Sequence, residues 1–592
     1  MVNFENSIKE AYSKFKTINE CHIINQSELN KNVSRSYLSV WKVFSEILNK
    51  EEEIEVFQFY ICFPYKFPLC IPDIYLSSNE FERYKYMPHV DLKHLICTFS
   101  EDSTTVNPSN PYEIVKKCFD RAKSIIEEGL QETNQSEFKR EFEAYWEQKY
   151  SEKDSIANNC LSLITSEEIE DFLIPVVKFN KYKLRSYDFI IYENDEYSSR
   201  FIDFLKENKI KFFKTTAFYI GEIEFEIPPY DLKNKDVLNI ISNCNNECKK
   251  EFKKYINSNS SSPIIVFKTI INGYSKYFAW QHRPLKASMN GFRKNTYSAY
   301  LSLNRQQKNQ YVKRISPDTL TPNRIVERSS GKSKTSKDKL SFFVSGLGSI
   351  GSNMIYFLNS FDDCEFKLND IDLLKIENIG RHLLGFSETG CYKTKALKNF
   401  LSHKNPLQKI STMDDSIIKL INSDPEYINK NDFAFIAIGD SNIENFVSEA
   451  LHEKILKTPT FFVWVEPYLC GGHVVFINLE QTTRLAHFHD TDGLFKNNII
   501  DKSEYKKPNP VLNMQEAGCQ STFTPYSLTK VVLFLSSIFP KIYNIISGEQ
   551  KKSCSYSWVG NKDIAFEKNI QLSNIASKFK DGDLIENIKH GS

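Results

Sequence analysis

The residues best suited to chemistry form a glycine-rich turn in the last part of the chain. Gly346, Gly348 and Gly351 follow an apolar run at residues 342–344 and precede a helical pattern of apolar residues. Glycines at this spacing let the backbone turn tightly and approach a phosphate, whose charge the amide groups and dipole of the following helix can hold. The order of strand, glycine turn and helix therefore predicts a nucleotide-binding site.

Charged residues follow this turn where a bound nucleotide would need them. Asp370 ends a second apolar run, close to the offset of about 20 residues at which dinucleotide enzymes place a ribose-binding carboxylate. An NAD-dependent oxidoreductase fits this feature alone. The residues that follow Asp370 favour phosphate chemistry instead, because a carboxylate can hold Mg²⁺ or ribose and two cations can neutralise charge on a triphosphate. These following residues are Asp372, Asn378, Arg381 and Lys393.

These motifs together resemble the adenylation domain shared by ThiF, MoeB and the ubiquitin-activating enzymes, which adenylate the C-terminal carboxylate of a ubiquitin-fold partner. The apolar run at 433–438 extends the likeness, since it ends in Gly439 and Asp440, and the family has an aspartate there near the magnesium and the ATP phosphates. The resemblance implies that the cofactors are ATP and Mg²⁺, that Asp440 contacts the metal, and that Arg381 and Asp440 act in catalysis. It implies nucleotide binding by Gly346, Gly348, Gly351, Asp370, Asp372, Asn378, Arg381, Lys393 and Asp440.

A cysteine near the end of the chain is the first candidate nucleophile. Cys519 is flanked by small and hydroxyl residues and precedes a helical run at 527–539. A helix N-terminus favours the thiolate, which is the nucleophilic form of cysteine. Activating enzymes place their thioester cysteine at this point, so the resemblance implies that Cys519 receives the acyl group. Arg324 and Arg328 lie where adenylation relatives carry an arginine that reaches ATP, sometimes across a dimer; ordinary surface charge is the alternative.

The first 150 residues contain the second candidate nucleophile, Cys97. It follows two predicted strands, a proline-rich segment at 63–72 and a His-Val-Asp turn at 89–91, and an amphipathic helix is predicted at about 112–130. This order resembles a ubiquitin-conjugating domain and implies that Cys97 is the conjugating cysteine. A buried structural thiol is the alternative.

The turn before Cys97 departs from the pattern of the conjugating enzymes. Those enzymes have His-Pro-Asn, whereas this chain has His89, Val90 and Asp91 and so lacks the asparagine to which oxyanion stabilisation is assigned. The candidates for stabilising the oxyanion are His89, Asp91 and His94. Of these, His89 is placed with the catalytic residues. The altered turn also supports an alternative in which the N-terminal domain only recognises partners.

The chain is predicted to be a multidomain α/β protein with three domains. Residues 1–150 form a ubiquitin-conjugating-like α+β domain, residues 151–330 a linker domain of mixed α/β type, and residues 331–592 a Rossmann-like ThiF adenylation domain. A Ser/Lys-rich stretch at 329–339 marks the last boundary. Cys244 and Cys248 form a CxxxC pattern without a second pair, which favours a structural role over a metal site.

The composition narrows the class of protein. With 592 residues, of which 41% are hydrophobic, the chain can bury several cores. A net charge of +1 gives no support for a nucleic-acid-coating protein, so no direct nucleic acid contact is expected. Thirteen scattered cysteines without a CxxC pair favour a reduced, cytoplasmic protein. No window approaches the roughly 18 apolar residues of a membrane span, so no membrane contact is expected.

The order of the two domain types resembles the fused enzymes of type II CBASS anti-phage operons. That resemblance implies that Cys519 passes the acyl group to Cys97, and that the C-terminal tail of a cGAS-like nucleotidyltransferase is joined to a lysine amine of a target. A ubiquitin-like protein is the other partner considered, and a homodimer is expected. The alternative function is a ThiF/MoeB-type adenylyltransferase for a sulfur-carrier or ubiquitin-like protein, with the N-terminal domain acting only in recognition.

Overall fold

The computed structural model forms two compact units. The first comprises residues 1–193 and 210–319, and the second comprises residues 194–209 and 320–592. The division into three domains at residues 150 and 330 stays a prediction. The structure describes residues 4–29, 35–100, 103–148, 155–157, 159–179, 187–225, 231–285, 298–329, 339–361, 363–479, 483–506, 510–512, 514–515 and 522–588.

The N-terminal part of the first unit is an antiparallel sheet covered by helices. Its elements are α1 (Phe4–Phe15), β1 (Glu20–Ile24), β2 (Ser39–Leu48), β3 (Ile54–Phe63), β4 (Asp73–Leu76), α2 (Ser78–Arg83), β5 (Leu95–Ile96), α3 (Pro111–Leu130), α4 (Glu137–Arg140) and α5 (Phe142–Trp146). The strands follow the order β1-β2-β3-β4-β5. Trp41 and Phe59 of the sheet and Phe119 of α3 are buried in the shared core. The predicted amphipathic helix is confirmed as α3, which Asn110 caps.

The following part of the chain builds a second, mixed sheet. Its elements are β6 (Ser155–Ala157), β7 (Cys160–Ser162), β8 (Leu173–Phe179), β9 (Phe189–Ile191), α6 (Glu196–Glu207), β10 (Phe212–Glu222), α7 (Asn234–Asn243), α8 (Asn246–Ser258), β11 (Ile264–Ile271), β12 (Tyr274–Gln281), α9 (Ala299–Leu301), β13 (Lys313–Ile315) and β14 (Asp318–Thr319). The nine strands follow the order β14-β7-β9-β8-β10-β11-β12-β13-β6. The sheet contains both parallel and antiparallel pairs, in agreement with the mixed α/β prediction.

Helix α6 belongs to the second unit, although its sequence neighbours belong to the first. Arg200 lies 3.2 Å from Glu365 Oε1 and donates to the carbonyl oxygen of Leu407 at 3.0 Å. The hydroxyl of Tyr197 donates to Asp363 Oδ2 at 2.7 Å. These contacts join residues more than 160 positions apart in the chain, which local sequence patterns do not report.

The second unit is organised around an eight-stranded sheet. Its further elements are α10 (Pro322–Ser329), β15 (Leu340–Ser345), α11 (Ser349–Leu358), β16 (Cys364–Asn369), α12 (Lys393–Lys404), β17 (Ile410–Met413), α13 (Ile417–Ser423), α14 (Glu426–Asn429), β18 (Phe433–Ile436), α15 (Ser441–His452), β19 (Thr460–Val465), β20 (Gly471–Ile477), β21 (Met514–Gln515), β22 (Thr522–Phe523), α16 (Leu528–Ile546), β23 (Cys554–Val559), α17 (Asp563–Glu567) and β24 (Leu584–Ile588).

The order of this sheet places a ligand site at a particular edge. The strands run β17-β16-β15-β18-β19-β20-β23-β24, and the first five are parallel. The chain starts at β15, moves outward through β16 and β17, and then returns to the other side at β18. In such doubly wound sheets, ligands bind beyond the carboxyl ends of the strands, where the order reverses. The Rossmann-like fold predicted for this region is confirmed.

One helix corrects an expectation from composition. Helix α16 has 19 residues and a hydropathy of 1.3, so by length and composition it could span a membrane, contrary to the expectation that no window approaches a span. Its residues Val531, Phe534, Leu535 and Ile538 are buried in the core of the second unit. A buried core helix meets the same criteria as a membrane span, and the packing of α16 is of that kind.

Candidate functional site

The glycine turn between β15 and α11 requires glycine for steric reasons at two positions. Gly346 has φ of +84°, and a Cβ there would lie 2.5 Å from the carbonyl oxygen of Ala437. A Cβ on Gly351 would lie 1.9 Å from the carbonyl oxygen of Gly346. Gly348 differs from both, because a Cβ there would meet nothing within 4 Å. Gly346 and Gly351 therefore shape the turn, and Gly348 leaves its backbone open to a ligand.

A cavity of about 600 Å³ opens beyond the carboxyl ends of β15, β18 and β19. Gly348, Asn378 and Arg381, which the sequence predicts to bind nucleotide, all line this cavity. Ser349 and Ile350 at the start of α11 line it as well, so the N-terminus of that helix faces the space. A helix N-terminus offers amide groups and positive potential to a phosphate.

Three charged residues predicted to bind nucleotide form a cluster that supports the glycine turn. Asp370 Oδ2 accepts the N–H of Leu347 at 2.6 Å, and its Oδ1 accepts the N–H of Asp372 at 2.8 Å. Lys393 donates to Asp372 Oδ2 at 2.8 Å and lies 3.6 Å from Asp370 Oδ2. Because the Lys393 and Asp370 side chains are both 8% exposed, their pairing fixes the turn relative to β16. Among the described residues, this cluster does not line the cavity itself.

Arg381 occupies the opposite wall and is already oriented. Its guanidinium donates to the carbonyl oxygen of Thr524 at 3.0 Å and lies 4.8 Å from the centroid of the Tyr526 ring. Both contacts hold the cation over the residues that lead into α16. The hydroxyl of Ser349 donates to the carbonyl oxygen of Arg381 at 3.0 Å, which ties this wall to the glycine turn.

His382 supports the same turn as a neutral ring, a role that the sequence did not reveal. Its Nδ1 accepts the N–H of Leu384 at 3.0 Å, so the proton sits on Nε2, which donates to the carbonyl oxygen of Leu347 at 2.9 Å. Burial lowers the pKa of His382, which favours the neutral form. His382, which follows the predicted phosphate-binding Arg381, therefore stabilises the backbone of the glycine turn.

Two carboxyl groups lie at the end of β18. Asp440 is exposed, and its Oδ1 caps α15 by accepting the N–H groups of Asn442 and Ile443 at 2.9 and 3.3 Å. Glu444, one turn later, is 5% exposed, lines the cavity and accepts the N–H of Gly439 at 3.1 Å. Burial raises the pKa of Glu444 to about 7, and the Asp440 charge adds to the shift.

The two carboxylates suit Mg²⁺, which takes oxygen ligands and is commonly held by one or two carboxylates together with phosphates and water. Asp440 was predicted to have this role, whereas Glu444 was not among the predicted residues. The available signal was its position four residues after Asp440, which puts both groups near the start of one helix. Within the described ranges, no group of three or more His, Cys, Asp or Glu side chains could hold a metal, including at Cys244 and Cys248.

The far wall of the cavity is held by a buried carboxylate, Glu466. It accepts the N–H groups of Ile499 and Ile500 at 2.6 and 2.8 Å and the hydroxyl of Tyr505 at 3.2 Å. His473 Nε2 lies 2.8 Å from the same carboxylate. Glu466 and Tyr505 line the cavity. This network therefore fixes the segment that closes the cavity, and sequence patterns gave no indication of it.

In the N-terminal part, Cys97 is solvent-exposed, unlike the buried thiol that the structural alternative expects. Its N–H donates to the carbonyl oxygen of His89 at 2.8 Å. Desolvation by the surrounding protein raises the pKa of the Cys97 thiol to about 11 even though the residue reaches solvent, and the charges of Asp91 and Glu141 add to the shift. The thiol is thus accessible but is mostly protonated at neutral pH.

The three candidates for oxyanion stabilisation differ in their surroundings. His94 is buried and stacks on Phe81, with ring centroids 4.2 Å apart. Asp91 Oδ1 accepts the N–H groups of Lys93 and Leu95, each at 2.8 Å. His89 is the candidate whose backbone bonds directly to Cys97.

Cys519 lies outside the described residues, as does the side chain of Arg328. Arg324 is exposed, near the start of α10. Their roles stay predictions.

The sequence matches two family models in separate regions. Residues 26–154 match the prokaryotic E2 family B, and residues 326–533 match the ThiF family. No curated protein matches the chain.

Several solved structures resemble parts of the chain at low identity. PaaA is 12% identical over 42% of this chain and 72% of its own, with a TM-score of 0.32. E. coli MccB with MccA-N7isoASN is 13% identical over 43% and 65%, with a TM-score of 0.29. E. coli TcdA, a tRNA N6-threonylcarbamoyladenosine dehydratase, is 17% identical over 22% and 52%, with a TM-score of 0.19. The chain thus spans just under two thirds of MccB.

The two family matches coincide with the two candidate sites. Cys97 and its turn lie inside the first matched region, and the glycine turn, Arg381, Asp440 and Cys519 lie inside the second. At a general level, these domain types indicate an enzyme of the ubiquitin-like activating and conjugating kind. The chain therefore joins a region that matches the prokaryotic E2 family B to a region that matches the ThiF family.

Proposed function

We propose that this protein activates the C-terminal carboxylate of a partner protein with ATP and conjugates it to a target amine. The observation that carries the proposal is a cavity built by a glycine turn, a helix N-terminus and Arg381, on the same chain as an exposed cysteine in an E2-like domain. The first feature suits a nucleotide phosphate and the second suits an acyl thioester.

In the first step, a carboxylate oxygen of the partner attacks the α-phosphorus of ATP, and pyrophosphate leaves. Arg381 and the amide groups of Ser349 and Ile350 face the space where this negative charge develops, and fixed donors stabilise such charge without reorganising. Asp440 and Glu444 would hold Mg²⁺. When bound, this ion neutralises phosphate charge and assists departure of the pyrophosphate.

In the later steps, the acyl group moves between two sulfur atoms. The Cys519 thiolate attacks the carbonyl carbon of the acyl adenylate, and AMP leaves. The Cys97 thiolate then attacks that thioester and releases Cys519. A lysine amine of the target finally forms an amide and releases Cys97. Each thioester keeps the acyl group activated, so one difficult acylation is divided into easier transfers.

A more specific proposal names the partner protein and the biological process. We propose that the activated carboxylate is the C-terminal tail of a cGAS-like nucleotidyltransferase, in bacterial anti-phage defence of the type II CBASS kind, and that the enzyme is a cytoplasmic homodimer. The support is the resemblance described above, in which a conjugating domain precedes an activating domain on one chain of 592 residues.

The test is intact-mass and non-reducing gel analysis with ATP, Mg²⁺ and a cGAS-like nucleotidyltransferase. We expect a thiol-sensitive adduct in the wild type, none in Cys519→Ala, and an adduct that cannot become an amide in Cys97→Ala. Release of pyrophosphate without a thioester on either cysteine would contradict conjugation.

One observation favours a second candidate, a ThiF/MoeB-type adenylyltransferase whose N-terminal domain acts only in recognition. With a thiol pKa of about 11, about one Cys97 in ten thousand is a thiolate at pH 7. The Cys97→Ala variant separates the two functions, because a domain that only recognises partners would keep its full function without the Cys97 thiol.

A further inference from the structure

The turn that precedes Cys97 is held in an unusual backbone conformation. His89 has φ of +62°, which is uncommon for a residue with a side chain. Its carbonyl oxygen accepts the N–H of Cys97 at 2.8 Å, and the next residues, Val90 and Ile96, form an antiparallel bridge. His89 and Cys97 therefore lie side by side on adjacent backbone segments. Strained residues persist where their surroundings over-determine them, and such places are often functional sites.

The side chain of His89 is held by the segment that joins α4 and α5. Its Nδ1 lies 3.2 Å from Glu141 Oε1. The Tyr145 hydroxyl donates to Glu141 Oε2 at 2.9 Å and accepts the N–H of His89 at 2.7 Å. Because Nδ1 is committed to Glu141, Nε2 is the ring atom left for another partner. The described part of the structure records no hydrogen bond of Nε2.

Helix α5 is itself fixed to the nine-stranded sheet. The indole N–H of Trp146 donates to the carbonyl oxygen of Ile315 at 3.0 Å, and its ring lies 5.3 Å from that of Phe267. Two residues beyond the helix, Gln148 Oε1 accepts the N–H of Leu92 at 3.1 Å. The sheet therefore holds the helix, and the helix holds the turn that carries His89.

We propose that Glu141 is a positioning residue, which orients the His89 ring so that Nε2–H donates to the carbonyl oxygen of an acyl group on Cys97. This inference rests on the proposed conjugation at Cys97 and names the group that replaces the missing asparagine. Asp91 does not fit that role, because its Oδ1 already accepts the N–H groups of Lys93 and Leu95. His94 does not fit it either, because its ring is buried against Phe81.

The step can be written with its bonds balanced. The amine nitrogen forms a bond to the thioester carbonyl carbon, and the C=O electron pair moves to oxygen, where the His89 N–H stabilises it. Collapse restores the C=O bond and breaks the C–S bond, whose electron pair goes to the Cys97 sulfur. The amine loses one proton and the sulfur gains one, so the products are an amide and a free thiol.

Charges around His89 support a ring that is protonated on both nitrogens. The hydrogen bond between His89 and Glu141 is the largest cause of the raised pKa of His89. It is also the largest cause of the lowered pKa of Glu141. Glu137 also raises the pKa of His89, whereas burial and Arg121 of α3 oppose the shift. Glu128 of α3 faces the same ring. Donation from Nε2 should therefore weaken as pH rises through the pKa of His89, and loss of Glu141 should move that decline to lower pH.

The test uses the full-length protein and a chemical acyl donor, so it does not depend on ATP or on the partner. Acetyl-glycylglycine mercaptoethanesulfonate thioester charges Cys97 by thiol exchange, which peptide mass spectrometry verifies at that residue. Hydroxylamine is then the amine, because it stays largely unprotonated over about pH 7–9. The measured quantity is the single-turnover loss of the Cys97 thioester.

Three variants are compared with the wild type. We expect Glu141→Gln to slow the discharge by about tenfold and to shift its decline to lower pH, and His89→Gln to slow it by about a hundredfold without a decline. Glu137→Gln is the matched control, since it removes a nearby charge that makes no hydrogen bond to His89, and its rate should stay within about twofold. If Glu141→Gln does not fold, Tyr145→Phe replaces it, with an expected loss of about threefold.

The outcomes distinguish the inference from the function on which it rests. If Glu141→Gln discharges at the wild-type rate with the wild-type pH profile, the positioning role is overturned. If wild-type Cys97 does not accept the acyl group from the probe at all, both the positioning role and conjugation at Cys97 fail. If the probe charges Cys97 but ATP and the nucleotidyltransferase do not, the partner and relay are wrong, and the chemistry at Cys97 stands.

Discussion

At the scale of single residues, Cys97 combines access to solvent with a thiol that resists ionisation. Desolvation is the main cause of its raised pKa, and the neighbouring carboxylates Asp91 and Glu141 add to it. A nucleophile of this kind needs activation when its substrate arrives, because the thiolate is the reactive form. It is also protected from adventitious alkylation and oxidation at neutral pH.

The first prediction follows from that pKa. We expect the rate of Cys97 alkylation by iodoacetamide to rise about tenfold per pH unit from about pH 7 to 10, because the thiolate fraction keeps rising toward a pKa of about 11. Mass spectrometry of the Cys97 peptide measures this alkylation rate at each pH. In the urea-unfolded chain the rate should level off near the ordinary thiol pKa of about 8.5. A plateau in the folded protein by about pH 9 would contradict the raised pKa.

The second prediction concerns Glu444, whose pKa of about 7 is higher than in the unfolded chain. Between the two pKa values the folded state binds more protons, so this group reduces stability as pH rises through about 7. Glu444→Gln cannot ionise and should be more stable than the wild type by about 2–3 kcal/mol at pH 8 and by about 1 kcal/mol at pH 5, where the unfolded carboxyl is already mostly ionised. Urea unfolding at both pH values measures this.

A matched control is available on the same helix. Glu453 is exposed at the end of α15, so Glu453→Gln should change the unfolding free energy by less than about 0.5 kcal/mol at either pH. Equal effects of the two substitutions would show that the Glu444 carboxyl is not penalised by burial.

At the scale of elements, Gly351 is needed for the shape of the glycine turn, whereas Gly348 leaves the turn accessible to a ligand. Gly351→Ala would push a methyl group into the backbone of Gly346, and we expect it to destabilise the second unit by about 3 kcal/mol or more. Gly348→Ala meets no atom within 4 Å, so the fold should be kept, with a loss of about 1 kcal/mol or less. Its methyl group would face the cavity, and ATP binding should weaken by about tenfold.

Thermal unfolding and ATP titration of both variants check this prediction. The informative comparison is between the two glycines, because they are three residues apart in one turn. A Gly348→Ala variant that binds ATP like the wild type would show that the backbone at this position does not approach the nucleotide.

Element-scale patterns also explain how much of the fold was predictable. Helix α3 was foreseen because its apolar residues recur at helical spacing. The strands β15 and β18 were foreseen as short apolar runs. The network around Glu466 was not foreseen, because Ile499 and Ile500 follow it by more than thirty residues and are recognised through their backbone N–H groups.

At the scale of the whole molecule, α6 is packed into a unit from which it is distant in sequence. Arg200→Ala would remove the donor to the carbonyl oxygen of Leu407 and one of three cations beside Glu365, and we expect a loss of about 1–2 kcal/mol in the stability of the second unit. Lys206→Ala, on the same helix, removes an exposed pair with Asp203 and should cost less than about 0.5 kcal/mol. Thermal unfolding measures both, and similar effects would show that α6 contributes no anchoring through Arg200.

The amino-acid sequence by itself determined the features that depend on neighbouring residues. The glycine spacing at 346, 348 and 351 indicated the turn, periodic apolar residues specified α3, and the order of motifs located Cys97 and the ThiF-like region. The tertiary structure decided which distant groups meet. Glu141 reaches His89 across 52 positions, and α6 joins residues near 365 and 407. The physical reason is that such pairings arise when buried surfaces pack together, and no local pattern in the chain encodes the partner.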